Sequence, residues 1–130
     1  MAKLTDAQRG FIRDNPYYAV MTTLREDGTP HSTVVWATEE DGKVLVNTVQ
    51  RRVKGRNLDR DPRASVVVFA PDGYHWIAVD GRAELTTEGA MDDINALSQK
   101  YDGQPFRELQ EGEVRVTARL TPERITAYGL

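Results

Sequence analysis

A chain of 130 residues, 39% hydrophobic and 28% charged, has room for one core and not two, so a single domain over residues 1–130 is expected. It holds no cysteine, which excludes disulfides, thiol nucleophiles and thiolate metal sites together and leaves any redox chemistry dependent on a borrowed cofactor. The formal net charge of −3 argues against nucleic acid as a partner, and no apolar run approaches the ~18 residues of a membrane span. Met1–Asp6 lacks the regions of a signal peptide, so a cytoplasmic protein without a membrane partner is expected.

Thr5-Asp6-Ala7-Gln8 reads as a capping box, and Leu4, Ala7, Phe11 and Ile12 fall at helical spacing, which predicts a helix over 5–15 stopped by Pro16. Tyr17–Leu24 and His31–Ala37 are rich in β-formers and flank Asp27-Gly28, a hairpin signal. A second turn at Glu39-Glu40-Asp41-Gly42 leads into Lys43–Thr48, a third strand of the same meander. Arg51–Asp61 breaks the β pattern and predicts a short crossing helix, weak in propensity at Gly55 and closed by Asp61-Pro62. Ala64–Phe69 and His75–Leu85 should pair around the Pro71-Asp72-Gly73 turn, with Gly81 at a bulge or bend. Thr87 is placed to cap a helix beginning at Glu88, whose Met91, Ile94, Leu97 and Tyr101 form one apolar stripe; Val114–Leu120 then alternates as the closing strand. Six or so strands with two or three short helices make an α+β, mainly β chain whose sheet should curl into a barrel to remove its edges.

Positive charge is concentrated in one place. Arg51, Arg52, Lys54, Arg56, Arg60 and Arg63 crowd into thirteen residues of an acidic chain, opposed locally by Asp59 and Asp61. Because this segment leaves a strand and opens a helix, free backbone N–H groups, the helix dipole and cationic side chains would converge there on an anion, a phosphate above all. Residue counts alone leave a second reading open, a solvated helix surface that happens to be basic.

The run Arg52-Val53-Lys54-Gly55-Arg56-Asn57-Leu58-Asp59-Arg60-Asp61-Pro62-Arg63-Ala64-Ser65 resembles the phosphate-binding segment of the pyridoxamine-phosphate-oxidase-like split-barrel superfamily. Met21–Leu24 with Asp27–His31 resembles that superfamily's first hairpin, and Val79-Asp80-Gly81-Arg82-Ala83-Glu84-Leu85 its later strand, so the likeness runs in order along nearly the whole chain. The Lys-x-Arg-Asn-Leu-x-Arg-Asp-Pro-Arg form and the short length are most similar to actinobacterial deazaflavin-dependent reductases, which use coenzyme F-420. The resemblance implies a split β-barrel of six to seven mostly antiparallel strands, a homodimer with the cofactor at its interface, and hydride transfer to an electron-poor enone, quinone or conjugated alkene. It puts Arg52 and Lys54 on the cofactor phosphate with Arg56 and Asn57 nearby, and runs Thr48, Val49 and Gln50 beside the ring. Ser32, Val34 and Trp36 become the floor of the ring pocket, and Tyr74, His75 and Trp76 come from the partner subunit. Flavin mononucleotide (FMN) in an oxidase or flavin reductase of the same fold, and a non-catalytic cofactor-binding protein, are the alternatives.

The other conspicuous residues have quieter readings. His31 and His75 are the two histidines and lack the spacing of a metal site, so no metal is expected; His75, between two aromatics after a turn, is the better substrate contact. Trp36 and Trp76 serve either as core or as stacking surfaces. Glu39-Glu40 and Asp92-Asp93 are adjacent rather than facing, which assigns them to a turn and a helix surface, and the serines lack the context of a hydrolase nucleophile, so no catalytic residue is assigned.

Overall fold

The structure is a computed structural model that describes residues 2–130. Its elements are α1 (Asp6–Arg13), β1 (Ala19–Leu24), β2 (Pro30–Val35), β3 (Ala37–Glu40), β4 (Lys43–Val49), α2 (Val53–Arg60), β5 (Arg63–Phe69), β6 (Trp76–Thr86), α3 (Ala90–Asp102) and β7 (Arg115–Tyr128). The described residues form one seven-stranded sheet ordered β2-β1-β5-β6-β7-β4-β3, every neighbouring pair antiparallel.

The two ends of that order are one stretch of chain. Pro30–Val35 pairs with β1 and, beyond a bend at Trp36, Ala37–Glu40 pairs with β4. The sheet therefore curls into a half-barrel whose edges are the two halves of a single bent strand, which answers the open-edge problem without extra strands. Inside it the alternate residues Met21, Val35, Val44, Val46, Val66, Val68, Ile77, Val79 and Leu120 form the core, joined by Ile12 of α1 and Leu58 of α2. A second cluster lies under α3, where Leu45, Ile94 and Leu97 carry Trp36, Tyr101 and Phe106.

The capping box at Thr5 is present in both directions, but α1 stops at Arg13 with Asp14 as its cap, ahead of Pro16, which disfavours helical backbone before it. α3 begins at Ala90 rather than at Glu88. Thr87 uses its carbonyl in a turn to the Ala90 N–H, and Gly89, at φ 75°, takes the cap position. The closing strand runs on to Tyr128 instead of ending at Leu120. Its Pro122 sits opposite Gly81 at a shift in register, the kind of irregularity where a strand tolerates proline. A Cβ on Gly81 would lie 1.9 Å from Thr121 O, so only glycine admits this crossing.

Glu39 is not a turn residue. It is a buried member of β3 whose carboxylate accepts from Arg9 Nε at 2.7 Å, Arg13 Nη1 at 3.3 Å and the Gly42 N–H at 2.6 Å, so it docks α1 onto the β3–β4 hairpin. The bend at Trp36 is held from the other side by α3. Tyr101 Oη accepts from Ala37 N at 3.1 Å and donates to the Tyr17 carbonyl, and Lys100 Nζ donates to Ile12 O at 2.6 Å and Ala37 O at 2.7 Å. Tyr101→Phe leaves the Ala37 N–H and the Tyr17 carbonyl without that partner and should cost about 2 kcal/mol of stability, read as a lower urea midpoint with unchanged slope.

Burial pushes the Lys100 ammonium down to about 8 from its ordinary 10.5, against an opposing pull from Asp14. Between those values the unfolded chain binds a proton that the folded chain has released, so stability rises with pH through that window. Burial moves the Tyr101 phenol up from 10.0, and the opposite sign applies above that pH. The urea midpoint should therefore climb between about pH 8 and pH 10. Lys100→Met should flatten that climb.

Candidate functional site

Where β4 ends and α2 begins, the chain opens a cleft of ≈ 250 Å³. One wall is the bent strand, through Val34, Val35 and Trp36; a second is β4, through Asn47 and Thr48; the first turn of α2 adds Arg52 and Lys54; and Ile94, Phe106, Arg107 and Arg115 complete it. Gly55 explains why α2 can start so close to β4. A Cβ there would stand 2.7 Å from both the Val49 and Gln50 carbonyls, so the first turn packs backbone to backbone on the strand end. That close approach is what Gly55 is for, and it sets the position of the cations on either side of it.

The N-cap of α2 is Arg52, which offers no side-chain acceptor, and the first turn carries no acidic residue. Its leading N–H groups and the positive end of its dipole are therefore available to an external anion. Burial lowers the Lys54 ammonium pKa, and the neighbouring charges of Arg52 and Arg115 lower it further. Burial likewise lowers Arg115, with Arg52 and Arg107 adding to it and Glu113 opposing. Glu113 is driven down to about 2, chiefly by its hydrogen bond from Arg107. Neither Arg52 nor Lys54 has an ion-pair partner among the described residues. The Thr48 hydroxyl, buried in the β4 wall, has no hydrogen-bond partner among the described residues.

A phosphate-bearing planar cofactor fits these residues. The uncompensated cations, the open helix turn and the orphaned Thr48 hydroxyl suit the anion, and Trp36 offers a flat surface fixed by stacking on Tyr101 at 5.4 Å and 11°. Among the described residues no group of three or more His, Cys, Asp and Glu could hold a metal ion.

Five of the residues expected from sequence come together in the cleft: Val34, Trp36, Thr48, Arg52 and Lys54. The others stand elsewhere in the chain. Val49 lines an adjoining recess with Arg51 and Gln110, while Gln50 and Arg56 line a separate cavity with Leu85 and Thr86. Asn57 is spent on the fold, donating to Thr23 Oγ1 at 3.0 Å and accepting from Arg60 Nη2 at 3.1 Å, so that it ties α2 to β1. Ser32 shares a 2.8 Å hydrogen bond with Thr22 across the outer face. Tyr74, His75 and Trp76 belong to the β5–β6 hairpin and do not line this cleft; His75 Nδ1 lies 2.8 Å from Asp72 Oδ2, and Trp76 stacks on Tyr128.

Asn47, Ile94, Phe106, Arg107 and Arg115 line the cleft without having been expected. Arg115 left no trace: it falls with Thr117 and Arg119 on the polar side of the alternating closing strand, where a charge is ordinary, and its burial comes from tertiary packing. Phe106 and Arg107 follow the end of α3 in an irregular segment with no periodicity, and their distance in sequence from the basic run concealed the connection.

Residues 4–129 match the family described as pyridoxamine 5'-phosphate oxidase. The chain is 24% identical over 123 residues to an F-420H(2)-dependent biliverdin reductase of Mycobacterium tuberculosis, covering 95% of this chain and 87% of that protein. Among solved structures it is similar to an F-420 reductase, with a TM-score of 0.79 and 24% identity over 90% of this chain and 94% of that one. A conserved hypothetical protein of Mycobacterium tuberculosis superposes with a TM-score of 0.77 and 23% identity, covering 98% of this chain and 88% of that chain. A curled antiparallel half-barrel with a basic strand-to-helix junction, and a family match along almost its entire length, place this chain in the pyridoxamine 5'-phosphate oxidase family of oxidoreductases.

Proposed function

We propose that this protein is a coenzyme F-420-dependent reductase that binds the cofactor phosphate at the start of α2 and passes a hydride to an electron-poor small organic acceptor. The observation that carries the reading is the pairing of two uncompensated cations, Arg52 and Lys54, with a buried, unpartnered Thr48 hydroxyl in one cleft. The F-420-dependent relatives support the choice of deazaflavin over FMN.

When bound, the reduced deazaflavin supplies the hydride; the chain's task is to place it. Arg52 and Lys54, with the first-turn N–H groups of α2, anchor the phosphate. Trp36, its own plane fixed by Tyr101 beneath it, would offer the ring a flat surface to lie against. The unpartnered Thr48 hydroxyl would give the bound anion one further hydrogen bond. No histidine lines the cleft and its carboxylate neighbour Glu113 is committed to Arg107 and Arg115, so the proton that completes reduction comes from water.

A cleft of ≈ 250 Å³ is smaller than the usual range for a pocket that encloses a cofactor, so a second copy of the chain is proposed to complete it. The surface that would receive it is the outer face of the sheet. Val34, Val20, Val67, Ala78 and Thr126 stand in one register row across five strands, and Phe69, Trp76 and Tyr128 in a parallel one. These rows are free of charge, and Val34 belongs both to them and to the lip of the cleft. A copy seated there would bring Tyr74, His75 and Trp76 toward its partner's cofactor.

Titration of the protein with F-420 and separately with FMN, followed by fluorescence or calorimetry at fixed ionic strength, should give micromolar or tighter F-420 binding and weaker FMN binding. A reversed preference moves the protein to the flavin branch, and binding of neither removes the proposed activity. Lys54→Ala should weaken F-420 by at least about 1 kcal/mol with the unfolding midpoint little changed. Val67→Arg should turn a dimer into a monomer in sedimentation and weaken cofactor binding with it; a wild-type protein that sediments as a monomer at micromolar concentration removes the shared site.

A further inference from the structure

The cleft holds more positive charge than a phosphate uses. Arg52, Lys54, Arg107 and Arg115 line it, and Glu113 is the carboxylate set against them. That leaves three positive charges, and a single phosphate group offsets about 2 of them at most. The surplus lies on the wall away from α2, at Arg107 and Arg115.

Arg115 is held with unusual thoroughness for a charged residue. Its side chain is 6% exposed; Nε donates to Asn47 Oδ1 at 2.9 Å and Nη1 to Glu113 Oε2 at 2.9 Å, while Nη2 has no partner among the described residues. Behind it runs a chain of buried polar groups whose direction is dictated by chemistry. The Asp93 carboxylate can only accept, so Thr117 Oγ1 donates to it at 2.7 Å and must itself accept from Asn47 Nδ2 at 3.2 Å. That orientation turns the Asn47 carbonyl oxygen toward Arg115 Nε, and the second Asn47 N–H is taken by Ala90 O at 2.9 Å. In front, Phe106 lies beneath both guanidinium groups, 4.8 Å from that of Arg107 and 4.9 Å from that of Arg115. A relay of this kind, costly unless every member is satisfied, leaves one guanidinium edge fixed and open toward the cleft.

We propose that Arg115, assisted by Arg107, is a second anion seat in the cleft, one that takes a carboxylate separate from the phosphate at α2, and that the Asp93–Thr117–Asn47 relay positions it. A planar carboxylate matches the fork of a guanidinium, and the apolar surface of Phe106 beside it suits a flat ligand carrying that acid. The proposal rests on the cofactor reading only in giving the phosphate to Arg52 and Lys54. The carboxylate belongs to the acceptor, and one set of binding measurements separates such a seat from a part of the cofactor site.

Biliverdin, a diacid, and its dimethyl ester are titrated by quenching of tryptophan fluorescence, with F-420 and FMN titrated alongside. Wild-type protein should bind the acid about tenfold more tightly than the ester, and Arg115→Gln and Arg107→Gln should remove that preference with less than about a twofold change for FMN. The half-exposed Arg107 keeps the test open if Arg115→Gln fails to fold. If the variants instead weaken F-420 and leave the acid and ester preference unchanged, the two arginines belong to the cofactor site and the proposal is overturned. Thr117→Val should lower the affected preference severalfold and Thr117→Ser should restore it, an outcome that loss of packing alone would not produce. Equal weakening of F-420 and FMN, or no change for any carboxylate-bearing ligand, overturns the proposal. Failure of wild-type protein to bind either cofactor counts against the cofactor reading alone, since the acid and ester comparison remains readable.

Discussion

The bend at Trp36 is the constraint on which the rest of the structure depends. A strand that passes from one edge of a sheet to the other must break its ladder where it crosses, and the backbone groups freed there need partners. Tyr101 and Lys100 supply them at Ala37, and the same two side chains reach the Tyr17 and Ile12 carbonyls, so the C-terminal turn of α3 joins the bend to the end of α1. Glu39, just beyond the bend, takes both arginines of α1 from the other direction. Barrel closure, helix docking and the plane of Trp36 in the cleft are thus consequences of one local arrangement.

The cleft brings four cations, Arg52, Lys54, Arg107 and Arg115, to one concave surface with Glu113 as their carboxylate partner. Elsewhere several charges are paired across short distances: Arg63 with Asp61, Arg119 with Asp93, and Glu39 with Arg9. In the cleft, burial and neighbouring positive charge both lower the pKa values of the half-buried Lys54 and the buried Arg115. A folded domain holds like charges together in this manner where an anionic ligand supplies the missing counterpart, and local conflict with the rules of stable folding is a mark of a binding site. The acidic balance of the chain makes the concentration sharper, since seventeen basic residues are outnumbered by twenty acidic ones and the cleft still carries a positive excess.

Two glycines decide where that cleft stands. Gly55 lets α2 begin directly on the carbonyls that end β4, and Gly81 lets β6 cross Thr121 closely enough for β7 to continue past its proline. Neither is explained by a turn or by a positive φ; both are places where two backbones approach within a methyl group's width. They fix the elements that carry Lys54 on one side and Arg115 on the other.

By itself the sequence determined the number and type of most elements, because alternation, capping residues and turn dipeptides are local and written in neighbouring positions. The capping box at Thr5, the Asp27-Gly28 hairpin, the pairing of Ala64–Phe69 with the strand after Pro71, and the basic strand-to-helix junction were all legible in this way. The tertiary structure alone decided what lies far apart in sequence and close in space. The bend that splits one strand between two sheet edges is held by Tyr101, β7 continues through Pro122 against Gly81, and Glu39 is buried against Arg9, all partners far outside any window of periodicity. The cleft divides along the same line: Arg52 and Lys54 could be read from one dense run, whereas Arg115, Arg107 and Phe106 joined them only when α3 folded back beneath β4, since hydrogen bonds and charge act over ångströms and not over sequence.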